Sequence, residues 1–252
     1  MFKRPRLKLA FAVALMFAAS VAHATDLVVS AAASLTNAFK ELAQSFEQQN
    51  PGVKVITNFG ASDILLRQIV RGAPADVFAS ADQAAMDKAV AEKAVNPATR
   101  KNFAANQIVL IVPHDSKLQP AALADLSQPG YQRIALGNPT SVPFGRYTKT
   151  ALESAGLWQQ LQAKAVMAEN VRTSLDYVAR GEVDAGFVFA TDAAVMPDKV
   201  RVAIRIPSDS PATYPIAATA GNRHKELADK FIAHVLSPAG QAVLARYGFL
   251  QP

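Results

Sequence analysis

Between Leu27 and Val90 the chain alternates short strand-like runs with stretches whose apolar residues recur every three or four positions. Leu27 to Ser30 is the first such run. Leu35, Phe39, Leu42 and Phe46 then share one face of a helix that ends before Asn50-Pro51-Gly52. Val53 to Thr57 is a second strand, and Ser62 opens a helix carrying Ile64, Leu65 and Ile69. Asp76 to Ser80 is a third strand, and Met86 to Val90 lie on the next helix. This order predicts an α/β fold built on a parallel sheet with right-handed crossovers. Ligands in such sheets bind where a strand ends and a helix begins.

A second series follows. Gln107 to Val112 reads as a buried strand closed by Pro113, and Arg133 to Leu136 as another. The latter leads into a helix from about Pro143, since proline suits a first turn. Val166-Met167 ends a short strand, and Asn170 is a good N-cap for a helix through Val178. Ala185 to Phe189 and Val200 to Ile206 are strands. Thr213 to Thr219 is the last, and Pro215 within it suggests an edge or a crossing segment. Leu227, Phe231 and Val235 mark a helix, and Pro238 starts the final one. These last helices have no strands of their own, so they are expected to return to the first unit. The expectation is two lobes, each a mixed, mainly parallel sheet flanked by helices. Residues 25–105 and 217–252 form lobe I and 106–216 lobe II, with crossings near Ala104–Gln107 and Tyr214–Ala217 as the hinge.

The formal charge of +6, from 26 Lys plus Arg against 20 Asp plus Glu, invites a nucleic-acid or membrane-surface reading. Its placement removes that reading. Lys3, Arg4, Arg6 and Lys8 precede a short apolar run from Leu9 to Ala19, and Ala22-His23-Ala24 fits a small-x-small cleavage site. Residues 1–24 therefore read as a signal peptide, with Thr25 the new N-terminus; the apolar run is shorter than the roughly 20 residues a spanning helix needs. Four basic and no acidic residues leave with it, so the mature chain carries 22 against 20. An exported, periplasmic protein is expected, not embedded in the membrane and without a nucleic-acid partner.

Several chemistries lack their residues. With no cysteine, the chain has no disulfide, thiolate metal site or cysteine nucleophile. It contains no Gly-x-Gly-x-x-Gly, phosphate-loop lysine or Gly-x-Ser-x-Gly elbow. His114, His224 and His234 are scattered, without metal-ligand spacing. No enzyme, catalytic residue, cofactor or cation ligand is expected. Three segments instead share one device, in which a strand ends, a hydroxyl or amide side chain caps, and a helix starts: Ala33-Ser34-Leu35, Ala61-Ser62-Asp63 and Glu169-Asn170-Val171. A helix start offers unpaired N–H groups and about half a positive charge, so it can hold an anion without lysine or arginine. Each alone is equally an ordinary cap.

The run Ala31-Ala32-Ala33-Ser34-Leu35-Thr36-Asn37-Ala38 resembles the opening signature of bacterial periplasmic molybdate-binding proteins, the substrate-binding subunits of molybdate ABC transporters. Arg67-Gln68-Ile69 followed by Gly72 to Asp82 is similar to that family's next block, and Val142-Pro143-Phe144-Gly145-Arg146-Tyr147 to its Val-Pro-x-Gly-x-Tyr turn. Glu169 to Arg172, Asp184-Ala185-Gly186 with Thr191-Asp192-Ala193, and Arg246 to Phe249 continue the resemblance in order. It implies a type II-like, two-lobed periplasmic binding protein that closes on one tetrahedral oxyanion, molybdate or tungstate, and delivers it to a transmembrane permease. It also implies a pocket of neutral donors: Ser34 and Ser62 from the first lobe, then backbone N–H groups near Phe144 and Val171. Where the family places a tyrosine hydroxyl this chain has Phe189, so one hydrogen bond is lost unless water or Thr191 supplies it. Asp63 beside Ser62 is expected to point to solvent, since facing the cleft it would repel an oxyanion.

Molybdate and tungstate are fully deprotonated dianions at neutral pH, so a pocket of donors alone suits them. Monohydrogen phosphate would bury an unpaired proton, at a cost of about 1–3 kcal/mol, and sulfate must be rejected by size. Another oxyanion binder, such as one for sulfate, shares every local argument. An exported enzyme on the same scaffold would need a nucleophile or base in the cleft. A regulator's sensing domain would need a DNA-binding motif ahead of Asp26, and an amino-acid binder an Arg–Asp pair in the cap loops. A monomer is the default for a protein that must dock on a permease.

Overall fold

Two five-stranded sheets organise the computed structural model, which describes residues 25–207 and 211–252. The signal peptide read from residues 1–24 lies outside the described residues. The first sheet has the order β2 (Val53–Gly60), β1 (Thr25–Ala32), β3 (Val77–Ala79), β10 (Ala212–Ala218), β4 (Lys101–Asn106). The second has the order β7 (Ala165–Ala168), β6 (Ile134–Gly137), β8 (Ala185–Phe189), β5 (Ile108–Pro113), β9 (Val200–Arg205). β1 pairs in parallel with β2 and β3, and β6 with β7 and β8. One strand in each sheet, β10 or β5, runs antiparallel to both neighbours. Mixed, mainly parallel sheets flanked by helices are what the strand–helix alternation leads one to expect.

Burial explains the helices. On α1 (Thr36–Gln49) and the 3-10 turn before it, Leu35, Phe39 and Leu42 are fully buried and Phe46 is 2% exposed. The Phe39 ring lies 5.6 Å from that of Phe103 on β4, and Phe46 lies 5.2 Å, edge-on, from Phe231. Phe231 belongs to α8 (Lys225–Leu236), which with α9 (Pro238–Arg246) packs on α1. The two C-terminal helices thus return to the first sheet. Their junction is tied by Ser237, whose hydroxyl accepts from the Gly240 N–H at 3.1 Å.

Three features differ from the sequence reading. β4 was not anticipated, because Lys101-Asn102-Phe103-Ala104-Ala105-Asn106 has no β-branched residue; pairing with β10 makes it a strand. It ends at Asn106 and β5 begins at Ile108, so the first passage between the sheets is the single residue Gln107. The return passage lies between Arg205 and Ala212, ahead of the Tyr214–Ala217 stretch expected to cross, which is inside β10. Nor is β10 an edge strand, as Pro215 suggested. The register shifts between Tyr214 and Pro215, and at such a bulge a residue without an N–H is tolerated in a sheet interior.

Candidate functional site

The strand ends of both sheets meet at a small cavity with about 210 Å³ of space unfilled by atoms, counting the part open to solvent. The first sheet contributes Ser34 from the turn after β1, Ser62 at the start of α2 (Ser62–Val70), and Ala81 after β3. The second contributes Phe144 at the start of α4 (Pro143–Ser154), Val171 at the start of α6 (Val171–Ala179), and Phe189 at the end of β8. All five positions singled out from the sequence, Ser34, Ser62, Phe144, Val171 and Phe189, line this one cavity, and no charged residue does.

The two serines work differently from caps. Leu35 and Ala61 occupy the N-cap positions of α1 and α2, and neither helix start has a side-chain cap bond. Asn170 alone of the three caps as expected, accepting from the N–H groups of Arg172 and Thr173. The Ser62 hydroxyl instead accepts from the Ala81 N–H at 3.0 Å, which leaves its own proton free. Ser34 Oγ lies 3.0 Å from the Tyr214 hydroxyl. The side-chain amide of Asn106 donates to that same hydroxyl at 3.3 Å and to Thr191 Oγ1 at 2.8 Å. Burial, with the charge of Asp192 nearby, pushes the Tyr214 phenol well above its usual range, so it stays protonated. With its oxygen accepting from Asn106, Tyr214 is set to donate to Ser34, and the Ser34 proton is then free for the cavity. Thr191 Oγ1 accepts from Asn106, and Thr191 is not among the residues that line the cavity.

Backbone donors come from the facing lobe. The N–H groups of Gly145 and Arg146 reach the Val142 carbonyl, and those of Arg172 and Thr173 reach Asn170. The first-turn N–H groups of Phe144 and Val171 have no carbonyl of their own helix within reach, and both residues line the cavity. α4 can sit this close to β6 only because two glycines meet: a Cβ on Gly145 would lie 2.4 Å from the Gly137 carbonyl oxygen.

Asp63 does not point to solvent; that expectation is corrected. It is 3% exposed, and Arg146 from α4 reaches across to it, Nη2 to Oδ2 at 2.7 Å, with Lys88 Nζ 3.7 Å from Oδ1. A carboxylate buried this deeply requires a cation, and the cation comes from the other lobe, 83 residues away. The same guanidinium donates from Nε to Asp82 Oδ2 at 2.6 Å and from Nη1 to the Pro139 carbonyl at 3.2 Å. A second arginine, Arg172, pairs with the fully buried Asp192 at 2.5 Å and extends Nη2 to within 3.5 Å of the Ser34 carbonyl. Burial pushes the Asp192 carboxyl up to about 6 against the pull of Arg172. Arg146 and Asp82 stood in the sequence only as members of the blocks that resemble the molybdate-binding proteins and Tyr214 only as part of an expected crossing; none of them, nor Asn106, was given a role at the site.

Residues 27–250 match the family model described as bacterial extracellular solute-binding protein. The chain belongs to that family. It is 37% identical over 241 residues to the molybdate-binding protein ModA of Escherichia coli, covering 91% of each chain. It superposes on the substrate-binding domain of a putative molybdenum ABC transporter from Clostridium difficile with a TM-score of 0.68 at 34% identity, covering 90% of this chain and 99% of that one. The periplasmic molybdate-binding protein of Azotobacter vinelandii gives a TM-score of 0.78 at 26% identity, with 90% and 99% covered. The cavity lies where the strand ends of the two sheets meet, and Arg146 pairs across it with Asp63 and Asp82. Among the described residues no helix is long and apolar enough to cross a membrane.

Proposed function

We propose that this solute-binding protein captures a tetrahedral oxyanion, molybdate and also tungstate, between its lobes and delivers it to an ABC transporter permease. It is exported to the periplasm after loss of residues 1–24, acts as a monomer without a cofactor, and is not an enzyme. The lobes are the two sheets with their helices, joined at Gln107 and by the return from β9 to β10. One observation carries the reading: the cavity is lined by two serines and by the first turns of two helices, with no acidic or basic side chain in its lining. Donors without acceptors fit an anion that has no proton to give. Closure removes the anion from water and strengthens every contact. The likeness to molybdate-binding proteins supports the choice of anion.

A thermal-shift panel on the mature chain with molybdate, tungstate, sulfate and phosphate tests this. At about a thousandfold over Kd a ligand contributes about 4 kcal/mol, which for a chain of this size is a rise in Tm of about 8–16 °C. Molybdate and tungstate are expected to give it; a shift with sulfate alone would overturn the assignment.

Phe189 sets the tightness. Its ring is 1% exposed and held edge-on between Tyr147 and Tyr214, 6.2 and 5.6 Å away, while lining the cavity. Changing Phe189 to Tyr adds a donor toward a charged ligand, worth about 1.5–3 kcal/mol, so molybdate affinity measured by calorimetry should rise ten- to hundredfold. Unchanged or weaker binding would mean that the ring is packing only.

A further inference from the structure

We propose that Arg146 is a clasp between the lobes that sets the closing equilibrium and, by neutralising Asp63 and Asp82, makes the cleft tolerant of a dianion. The proposal rests on the oxyanion reading above. Three elements that line the cavity each carry one member of the clasp a residue or two away: Ser62 precedes Asp63, Ala81 precedes Asp82, and Phe144 stands two before Arg146. The side chains of Asp63 and Asp82 are 4% and 5% exposed, and that of Arg146 only 24%. Asp82 has a second duty, since its Oδ1 caps α3 (Gln83–Ala91) by accepting from the Ala85 N–H at 3.0 Å.

With the lobes apart, two carboxylates flank the first-lobe half of the anion site and oppose a dianion. Closure brings Arg146 onto both through separate nitrogens, Nε and Nη2. A planar fork can bridge two carboxylates from different loops in this way; a lysine ammonium, a single point charge, cannot hold the same geometry. Lys88 approaches Asp63 alone, at 3.7 Å from a half-exposed position, so it leaves Asp82 uncompensated. The guanidinium therefore does not touch the anion. It removes the repulsion that would keep the anion out, and it does so only in the closed form.

The test uses the mature chain with sodium molybdate, read by calorimetry and stopped-flow kinetics, with small-angle scattering of the ligand-free protein. Arg146→Gln is expected to weaken molybdate at least ~30-fold, chiefly through faster release, and to raise the radius of gyration of the free protein. The deficit should shrink as salt screens the carboxylates that the parted lobes uncover. Adding Asp63→Asn and Asp82→Asn to Arg146→Gln should recover most of the affinity; asparagine is also a good N-cap, so α3 is kept. Arg146→Lys should fall between wild type and Arg146→Gln. Binding within threefold for Arg146→Gln, or a deficit that neither salt nor the two asparagines reduce, would overturn the clasp. Wild-type protein that binds no oxyanion would instead overturn the functional reading, and scattering would still decide whether Arg146 holds the lobes together.

Discussion

Gly145→Ala should lower Tm by about 6–12 °C and cost at least ~100-fold in oxyanion affinity, although alanine is the better helix former by about 1 kcal/mol. The two effects have opposite signs, so the direction of the Tm change decides which governs. A Cβ at residue 145 would meet the Gly137 carbonyl oxygen at 2.4 Å, its carbonyl carbon at 2.5 Å and its Cα at 3.0 Å, all backbone atoms that no rotamer change can move. Relief requires α4 to lift from the end of β6, and overpacking of this kind costs about 3 kcal/mol. The lifted turn carries Phe144 and Arg146, hence a backbone donor and the interlobe pairs together. Gly221→Ala is the control, because a Cβ there meets nothing within 4 Å; its Tm should change by less than about 1–2 °C. An unchanged or higher Tm for Gly145→Ala would show that the two segments are free to separate, and α4 would then not be a fixed platform for the site.

How much of this could be read before any coordinates follows from the range of each interaction. The face of Leu35, Phe39, Leu42 and Phe46, the Pro143 start and the Asn170 cap are set by neighbours within one or two turns, and each stands in the structure as read. Ser34, Ser62 and Val171 were legible because strand ends and helix starts are local features, whereas Phe144 and Phe189 were singled out only through the resemblance to molybdate-binding proteins. Ser34 and Ser62 line the cavity but neither caps its helix, since a serine at a cap and a serine one residue before or after it look alike in sequence. Long-range partners left no local mark. Ser34 and Tyr214 are 180 residues apart and Arg146 and Asp82 are 64 apart, so a lone acid such as Asp63 gave no hint that a cation would cross the cleft to cover it. β4 and Pro215 belong to the same class, because pairing and a bulge, not propensity, decide their state.

Ser62→Ala separates ligand binding from the stability of the empty cleft. In the protein the Ser62 oxygen accepts from the Ala81 N–H at 3.0 Å and is fully buried, so the geometry leaves the hydroxyl proton only the cavity to serve. Alanine removes that donor from a charged ligand, about 1.5–3 kcal/mol, and molybdate affinity should fall about 10- to 150-fold. It also leaves the Ala81 N–H buried without an acceptor, at about 1–3 kcal/mol, so the ligand-free protein should lose about 2–12 °C in Tm. Both losses are expected together, one read by calorimetry and the other by thermal unfolding without ligand. Lower stability with affinity kept within threefold would reduce Ser62 to a structural acceptor for the β3–α3 loop, and the anion would then rest on Ser34 and the N–H groups of the helix starts. Loss of affinity at unchanged stability would mean that water replaces the hydroxyl beside Ala81. In that case the cavity of the free protein is wetter than its fully buried serine implies, and displacement of that water becomes part of the binding step.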